Sequence, residues 1–357
     1  MSPSGYPSPP CRARPTALSA ASNMDIQARR ERREERRRAV LRRRRSSVAL
    51  IIAVALAVAA IVVSVGGSSR GGHGTSTGTR ASAGSGAASG ARAASGVGAA
   101  AGSTSSTASV TGPPVGPLGT EPVPILMYHV IAAAPAGAPF PGLYVPPEEF
   151  AAQMQALQEA GWHAVTMDQV QAYWHRGVPL GAGKPIVLSF DNGYNSQYTQ
   201  ALPVLRRLGW VGVENIQLSG LPPSQGGLGE AQVKGLIAAG WELDTQGFSH
   251  ADLVTLSPEA LHYQVSVARR TLQHRYHVPV NWFCYPSGHY DATVIAEVRA
   301  AGYLGSTTVV PGWAHPGDDA YRLHRLRVLG GTGPQQLLEQ IASNRGEPAA
   351  PASYTGA

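Results

Sequence analysis

The sequence predicts an α/β domain on a mainly parallel sheet, open or closed into a barrel, and three observations carry that prediction. After Glu121-Pro122 the Gly/Ala/Ser-rich texture gives way to short apolar runs alternating with amphipathic stretches, the signature of repeated β-α units. The amphipathic stretches carry helix boundary signals, Pro at a start and Gly at an end. The strand-to-helix spacing leaves room for a crossover between successive strands, which parallel pairing requires.

Residues 123–128 (VPILMY) read as the first buried strand and 146–160 as a helix that opens on Pro, aligns Phe150, Met154 and Leu157 on one face, and stops at Gly161. Residues 186–190 (IVLSF) form the next strand, followed by a helix over 199–208 that ends at Gly209. Further strands are expected at 211–218, 241–245, 282–285, 304–308 and 325–329, with helices at 230–239, 258–276, 292–301 and 334–343. A parallel barrel places its chemistry at the carboxyl ends of its strands. Tyr128-His129, Asp191-Asn192, Gln246 with His250, and Tyr285-Pro286 fall there.

The chain divides before and after this domain. Residues 1–46 form an Arg-rich tail expected in the cytoplasm, and 47–65 run without a charge for long enough to cross a hydrocarbon core of ~30 Å. Arg42 to Arg45 precede that span directly, so the positive-inside rule puts the N-terminus in the cytoplasm and the following domain outside it; the long basic region and the lack of an A-x-A site after VSVGGSS favour a single-pass signal-anchor over a cleaved signal peptide. Residues 66–120 read as a flexible Gly/Ser/Ala linker, 121–343 as the folded domain, and 344–357 as a disordered tail. The net charge of +7 belongs to the N-terminal part: 14 Arg against 4 acids lie within residues 1–70, and residues 121–357 carry −5. That balance removes the electrostatic footprint of a nucleic-acid binder. Cys11 and Cys284 lie on opposite sides of the expected span, so no disulfide joins them, and Cys284 reads as a buried small residue.

Four segments in order carry a resemblance: PILMYH at 124–129, LSFDNGY at 188–194, GWELDTQGFSHADLVTLS at 240–257 and FCYPSGHYD at 283–291. Together they resemble the NodB-homology polysaccharide deacetylases over about residues 122–331. The resemblance implies a distorted (β/α) barrel and metal-dependent removal of acetyl groups from a cell-envelope glycan such as peptidoglycan or an N-acetylglucosamine polymer. It makes Asp191 the general base, and Asn192, Gln246 and His250 the metal positions, where the family carries an Asp and two His. It also places Tyr285 and Pro286 around the acetyl pocket.

Zinc supplies a nucleophile at neutral pH by lowering the pKa of its bound water to about 7, and it is held by three nitrogen, sulfur or carboxylate ligands. Asn192 and Gln246 offer neutral amide oxygens instead, which predicts a large loss of metal affinity. Two functions therefore stand at this point: a metal-dependent deacetylase, or a membrane-anchored member that binds glycan or a wall partner without hydrolysis. Asp191 reads as a base or as a cap of the DNG turn, and His250 as a ligand or a hydrogen-bonded histidine. His129 reads as an acid, an additional ligand or an interior histidine. His289 and His324 are candidates for the leaving-group acid, and Trp241, Trp282 and Trp313 for sugar stacking or core packing. The FCYPSG segment lacks the Arg found in a family variant of that motif, which predicts no orienting partner for Asp191.

Overall fold

The computed structural model describes residues 112–219, 221 and 226–356. The expected cytoplasmic tail, the span at 47–65 and most of the linker lie outside the described residues. Among the described residues no helix is long and apolar enough to cross a membrane.

Eight strands form one parallel sheet: β1 (Ile125–Tyr128), β2 (Trp162–Val165), β3 (Lys184–Asn192), β4 (Val213–Ile216), β5 (Glu242–Thr245), β6 (Trp282–Cys284), β7 (Gly305–Thr307) and β8 (Leu326–Arg327). Hydrogen-bonded neighbours run β7-β6-β5-β4-β3-β1-β8. The long β3 serves three partners, pairing Lys184 to Val187 with β2, Val187 to Phe190 with β1 and Ser189 to Asn192 with β4. Bonds from Leu323 N to Ser306 O, from Thr308 N to Leu323 O and from Arg325 N to Val310 O then tie the approach to β8 onto β7. The sheet thereby curls into a half-barrel.

Helices α1 (Pro147–Glu159), α2 (Met167–Arg176), α3 (Leu202–Leu208), α4 (Glu230–Ala238), α5 (Pro258–His262), α6 (Ala268–Tyr276), α7 (Ala292–Ala300) and α8 (Pro334–Ser343) accompany the strands. Sequence periodicity leaves out β2 and α2, although Thr166 and Gln169 form a reciprocal capping box at the start of α2 and Gly177 ends it in a left-handed conformation. The helix expected over 258–276 is interrupted by a π-helical turn at Tyr263–Val267, which leads directly into α6. A second π turn, Gln197–Ala201, leads into α3.

One apolar layer lies outside the barrel under the helices, where Phe190 stacks on Trp241 at 4.9 Å and on Tyr128 at 5.6 Å. A separate cluster with Val187, Val213 and Trp282 fills the interior. Strand alternation puts Ser189, Asp191, Asn215 and Cys284 on that same inward face, which makes the upper interior polar.

Two flanking segments differ from expectation. The end of the expected linker lies along α2, with Val115 N donating to Arg176 O and Gly119 N to Tyr173 O. The segment expected to be disordered after residue 343 docks beside α7. Tyr354 and Tyr290 exchange backbone bonds of 2.7 and 2.9 Å, Tyr290 Oη donates to Pro351 O, and Arg322 Nη1 donates to Ala350 O. Its low apolar content hides these partners because they are mostly backbone groups, which composition does not report.

Candidate functional site

Asp191, 1 % exposed, is the hub of the upper interior. Arg325 Nη1 donates to its Oδ1 at 2.7 Å and Nη2 to its Oδ2 at 2.9 Å, a two-pronged ion pair. Asn215 Nδ2 adds a bond to Oδ1 at 2.9 Å, and Cys284 Sγ a weak one to Oδ2 at 3.5 Å. Burial pushes the Asp191 carboxyl up, but the charge and hydrogen bonds of Arg325, with His129 and the Asn215 bond, together outweigh it and the pKa falls to about 2. The expectation that Asp191 lacks an arginine partner is corrected here: the guanidinium arrives from the far end of the domain, at the entry to β8, and not from the FCYPSG segment. Arg325 is completed by donation from Nε to Thr308 O and from Nη1 to Ser189 Oγ. Cys284 is buried as expected, yet among charges, and burial pushes its thiol far up.

His129 Nε2 stands 4.0 Å from Asp191 Oδ2, beyond hydrogen-bond reach. Burial lowers its pKa to about 4, so it is neutral at neutral pH. Burial also lowers the pKa of His250, and electrostatic coupling with both Asp191 and His129 places His250 in the same neighbourhood.

The two π turns fix this neighbourhood. Gln197, in the first, donates from Nε2 to both His129 O at 2.9 Å and Asp191 O at 2.8 Å, clamping the ends of β1 and β3 together. Gln264, in the second, accepts from Phe248 N and Ser249 N, both at 2.9 Å, and donates to Ser249 Oγ at 2.7 Å. It thus holds the loop that carries His250, which adopts a φ of 52°. The extra residue of a π turn re-aims a side chain from the regular helical stripe, and such turns gather at functional sites. The DNG turn is strained similarly: Asn192 has a φ of 80°, and a Cβ on Gly193 would lie 2.8 Å from Ile216 Cγ1.

Two of the positions expected to hold a metal, Asn192 and Gln246, stand at the carboxyl ends of β3 and β5, on either side of β4. Asn192 pairs across β3 and β4 with Ile216, and Ile216 with Thr245 of β5. Gln217 and Gln246 each follow one residue later, so three carboxamides form a row. Asn192 Nδ2 donates to Gln217 Oε1 at 3.1 Å, and Gln217 Nε2 to Ser219 O at 2.8 Å. Gln246 is 3 % exposed, and its Oε1 is buried with no donor. Among the described residues no three His, Cys, Asp or Glu side chains converge to hold an ion. Asp191 cannot stand in, because Arg325 takes both of its oxygens. One imidazole and two neutral amides do not fit a catalytic divalent cation.

Tyr285, expected at the pocket, turns outward: its ring stacks on Tyr290 at 4.9 Å and its hydroxyl donates to Tyr321 O. Pro286 is buried and opens a 3₁₀ turn. Trp241, Trp282 and Trp313 are all core residues, 4, 1 and 7 % exposed. His324 is buried with Nδ1 on Pro311 O, whereas His289 forms a 3.0 Å pair with Asp252 and is electrostatically coupled to His250. Arg325, Asn215, Gln197 and Gln264 are the site residues missed from sequence. For Arg325 a signal existed: Leu326 and Val328 pack in the outer layer, so alternation turns Arg325 inward, where a buried guanidinium requires an acid.

Residues 181–305 match the family model described as polysaccharide deacetylase. A Bacillus subtilis protein, YxkH, which bears a polysaccharide deacetylase name by assignment, is 26 % identical over 209 residues, 58 % of this chain and 72 % of its own length. The poly-beta-1,6-N-acetyl-D-glucosamine N-deacetylase of Escherichia coli is 38 % identical over 61 residues, which span 17 % of this chain and 9 % of that protein. Among solved structures, the Streptococcus pyogenes deacetylase PplD in complex with acetate superposes with a TM-score of 0.57 at 25 % identity, over 62 % of this chain and 99 % of that one. The polysaccharide deacetylase BC0361 of Bacillus cereus gives 0.55 at 25 % identity, over 62 % and 69 %.

Proposed function

We propose that this chain, a member of the polysaccharide deacetylase family through its 181–305 segment, recognises an acetylated cell-envelope glycan and holds it without metal-assisted hydrolysis. One observation carries the reading: the three positions expected to hold the ion present Asn192, Gln246 and His250, with Asn192 bonded into a neutral amide row. The similar E. coli protein is named for a poly-N-acetylglucosamine substrate, which supports an N-acetylglucosamine polymer or peptidoglycan as the ligand. The charge-free stretch at 47–65 and its Arg-rich flank support a membrane tether that leaves the domain outside the cytoplasm.

A second reading, acetyl removal, is favoured by the acid–base groups that remain. Asp191 and His129 sit together, and His289, held by Asp252, is a candidate to protonate a leaving amine. Against it, a carboxyl with a pKa of about 2 that is engaged on both oxygens is a weak base.

The test is acetate release and glycan binding by the full-length chain, with zinc, cobalt or manganese added, on acetylated chitooligosaccharide and peptidoglycan. Binding without acetate release, with turnover gained by the double substitution Asn192→Asp and Gln246→His, is the expected result. Stoichiometric metal with acetate release that disappears in Asp191→Ala would overturn it in favour of hydrolysis.

A further inference from the structure

The segment after α8 ends against a histidine that also touches the candidate site. Ala350 O accepts from Arg322 Nη1 at 3.0 Å and Pro351 O from Tyr290 Oη at 2.8 Å, after which Tyr354 and Tyr290 exchange their two backbone bonds. Two residues further on, Gly356 crosses His289 so closely that a Cβ on it would stand 2.9 Å from Nε2. The φ of Gly356 is 85°, so the crossing suits glycine on both counts. The Tyr354 ring lies beside the same imidazole, with 6.3 Å between ring centres. One side of His289 is thus covered by residues 354 and 356.

Its other side faces the loop that carries His250. His289 Nδ1 lies 3.0 Å from Asp252 Oδ1, and a carboxylate only accepts, so Nδ1 is the donor. Leu253, next to Asp252, and Tyr290, next to His289, share one apolar cluster on which Tyr354 also packs. Gln264 anchors the entry of the loop by accepting from Phe248 N and Ser249 N, and the His289 pair anchors its exit at Asp252. Between the two anchors His250 holds a φ of 52°. A residue other than glycine keeps that conformation only where its surroundings impose it.

We propose that residues 350–356 form a strap that seats His289 against Asp252 and so holds the loop and His250 at the candidate site, which makes His289 a positioning residue. With Nδ1 committed to Asp252 and Nε2 beneath Gly356, neither ring nitrogen is left to pass a proton to a leaving group. The effect of the strap on ligand binding rests on the glycan-binding reading above; its hold on the loop does not.

The experiment is amide hydrogen exchange on the full-length chain, read at Phe248 and Ser249. Tyr354→Pro removes the N–H that donates to Tyr290 O. It is expected to speed exchange at both amides by about fivefold, the effect of one lost hydrogen bond, while Leu188 and Phe190 in β3 exchange as in the parent. His289→Ala should do the same. His289→Asn, whose amide still donates to Asp252, should stay within about twofold of the parent, which separates loss of the bond from loss of fold. Tyr354→Pro added to Asp252→Ala should speed exchange no further than Asp252→Ala alone, because the strap acts through that pair. Unchanged exchange in Tyr354→Pro, or rate increases that multiply in the double variant, overturns the proposal. Affinity for chitopentaose and for peptidoglycan is measured on the same chains and should weaken in step with the faster exchange; equal affinity in parent and Tyr354→Pro overturns the link to the site. A parent that binds neither sinks the glycan reading, while the exchange rates still decide the strap.

Discussion

Arg325 grips both carboxylate oxygens of Asp191, at 2.7 and 2.9 Å, from 134 positions further along the chain. Each is 1 % exposed, so neither charge has water as an alternative partner. Breaking such a pair from one side costs about 3–5 kcal/mol, because the remaining charge is stranded. Arg325→Met is expected to lose stability on that scale in chemical denaturation. Arg325→Met combined with Asp191→Leu should recover most of it, which distinguishes a stranded charge from lost packing.

The acid side of the stability profile should be set by His129 and Asp191. The pKa of His129 in the fold, about 4, lies below its ordinary 6.5, so its contribution is complete above 6.5 and is lost as pH falls towards 4. Asp191, lowered from 3.8 to about 2, holds its contribution above 3.8 and loses it towards 2. Thermal melts from pH 7 to pH 2 should therefore decline over two windows, and His129→Gln should shrink the upper one, to which His250 also contributes, while leaving the lower one in place.

Asp244 acts with the opposite sign. Burial pushes its carboxyl up to about 7, so the stability it contributes is complete below its ordinary 3.8 and is lost as pH rises through 7. Asp168 and Glu242 lie beside it, and Asp244 Oδ1 accepts from Asn281 N and Trp282 N. Asp244→Asn keeps that acceptor and removes the titration. Its melting temperature relative to the parent should rise between pH 5 and pH 8, and a constant difference would refute the assignment.

Gly193→Ala should destabilise by about 1–3 kcal/mol, since the new Cβ would meet Ile216 Cγ1 at 2.8 Å on a backbone with φ of 87°. Ile216→Ala relieves the contact but not the dihedral strain. The double variant should thus stay below Ile216→Ala in melting temperature.

The segment around Tyr354 is expected to be protected by its bonds to Tyr290. Tyr290→Phe removes the bond to Pro351 O and should speed amide exchange at Tyr354 by roughly fivefold for a bond worth about 1 kcal/mol, read by hydrogen exchange.

Much of this fold is written locally. Apolar runs locate β1 and β3, and Pro and Gly mark the ends of α1. The site is less local. Asp191, His129 and His250 declare themselves by residue type, but Arg325 reads as an ordinary strand residue until its alternation with Leu326 and Val328 is weighed. Gln197 and Gln264 are invisible because a π turn leaves no periodic trace: one added residue looks like a slightly imperfect helix. Tyr285 misleads for the converse reason, since a tyrosine at a strand end reads as pocket-lining until its neighbours Cys284 and Trp282 take the inward face.

The Arg325–Asp191 pair and the pairing of Leu126 with Leu326 join distant parts of the chain. Bonds at Leu323 and Arg325 tie the approach to β8 onto the end of β7, and the same Arg325 neutralises Asp191, so the interior charge has no counter-ion until that approach is in place. Contacts of such long sequence separation form slowly, since the loop entropy comes before the reward. Residues 181–305 contain Asp191 but neither β1 nor Arg325, so that stretch lacks the counter-charge of its own buried carboxylate. The segment that leads into β8 thus supplies the counter-charge while β8 itself pairs with β1, which ties the integrity of the site to the far end of the domain.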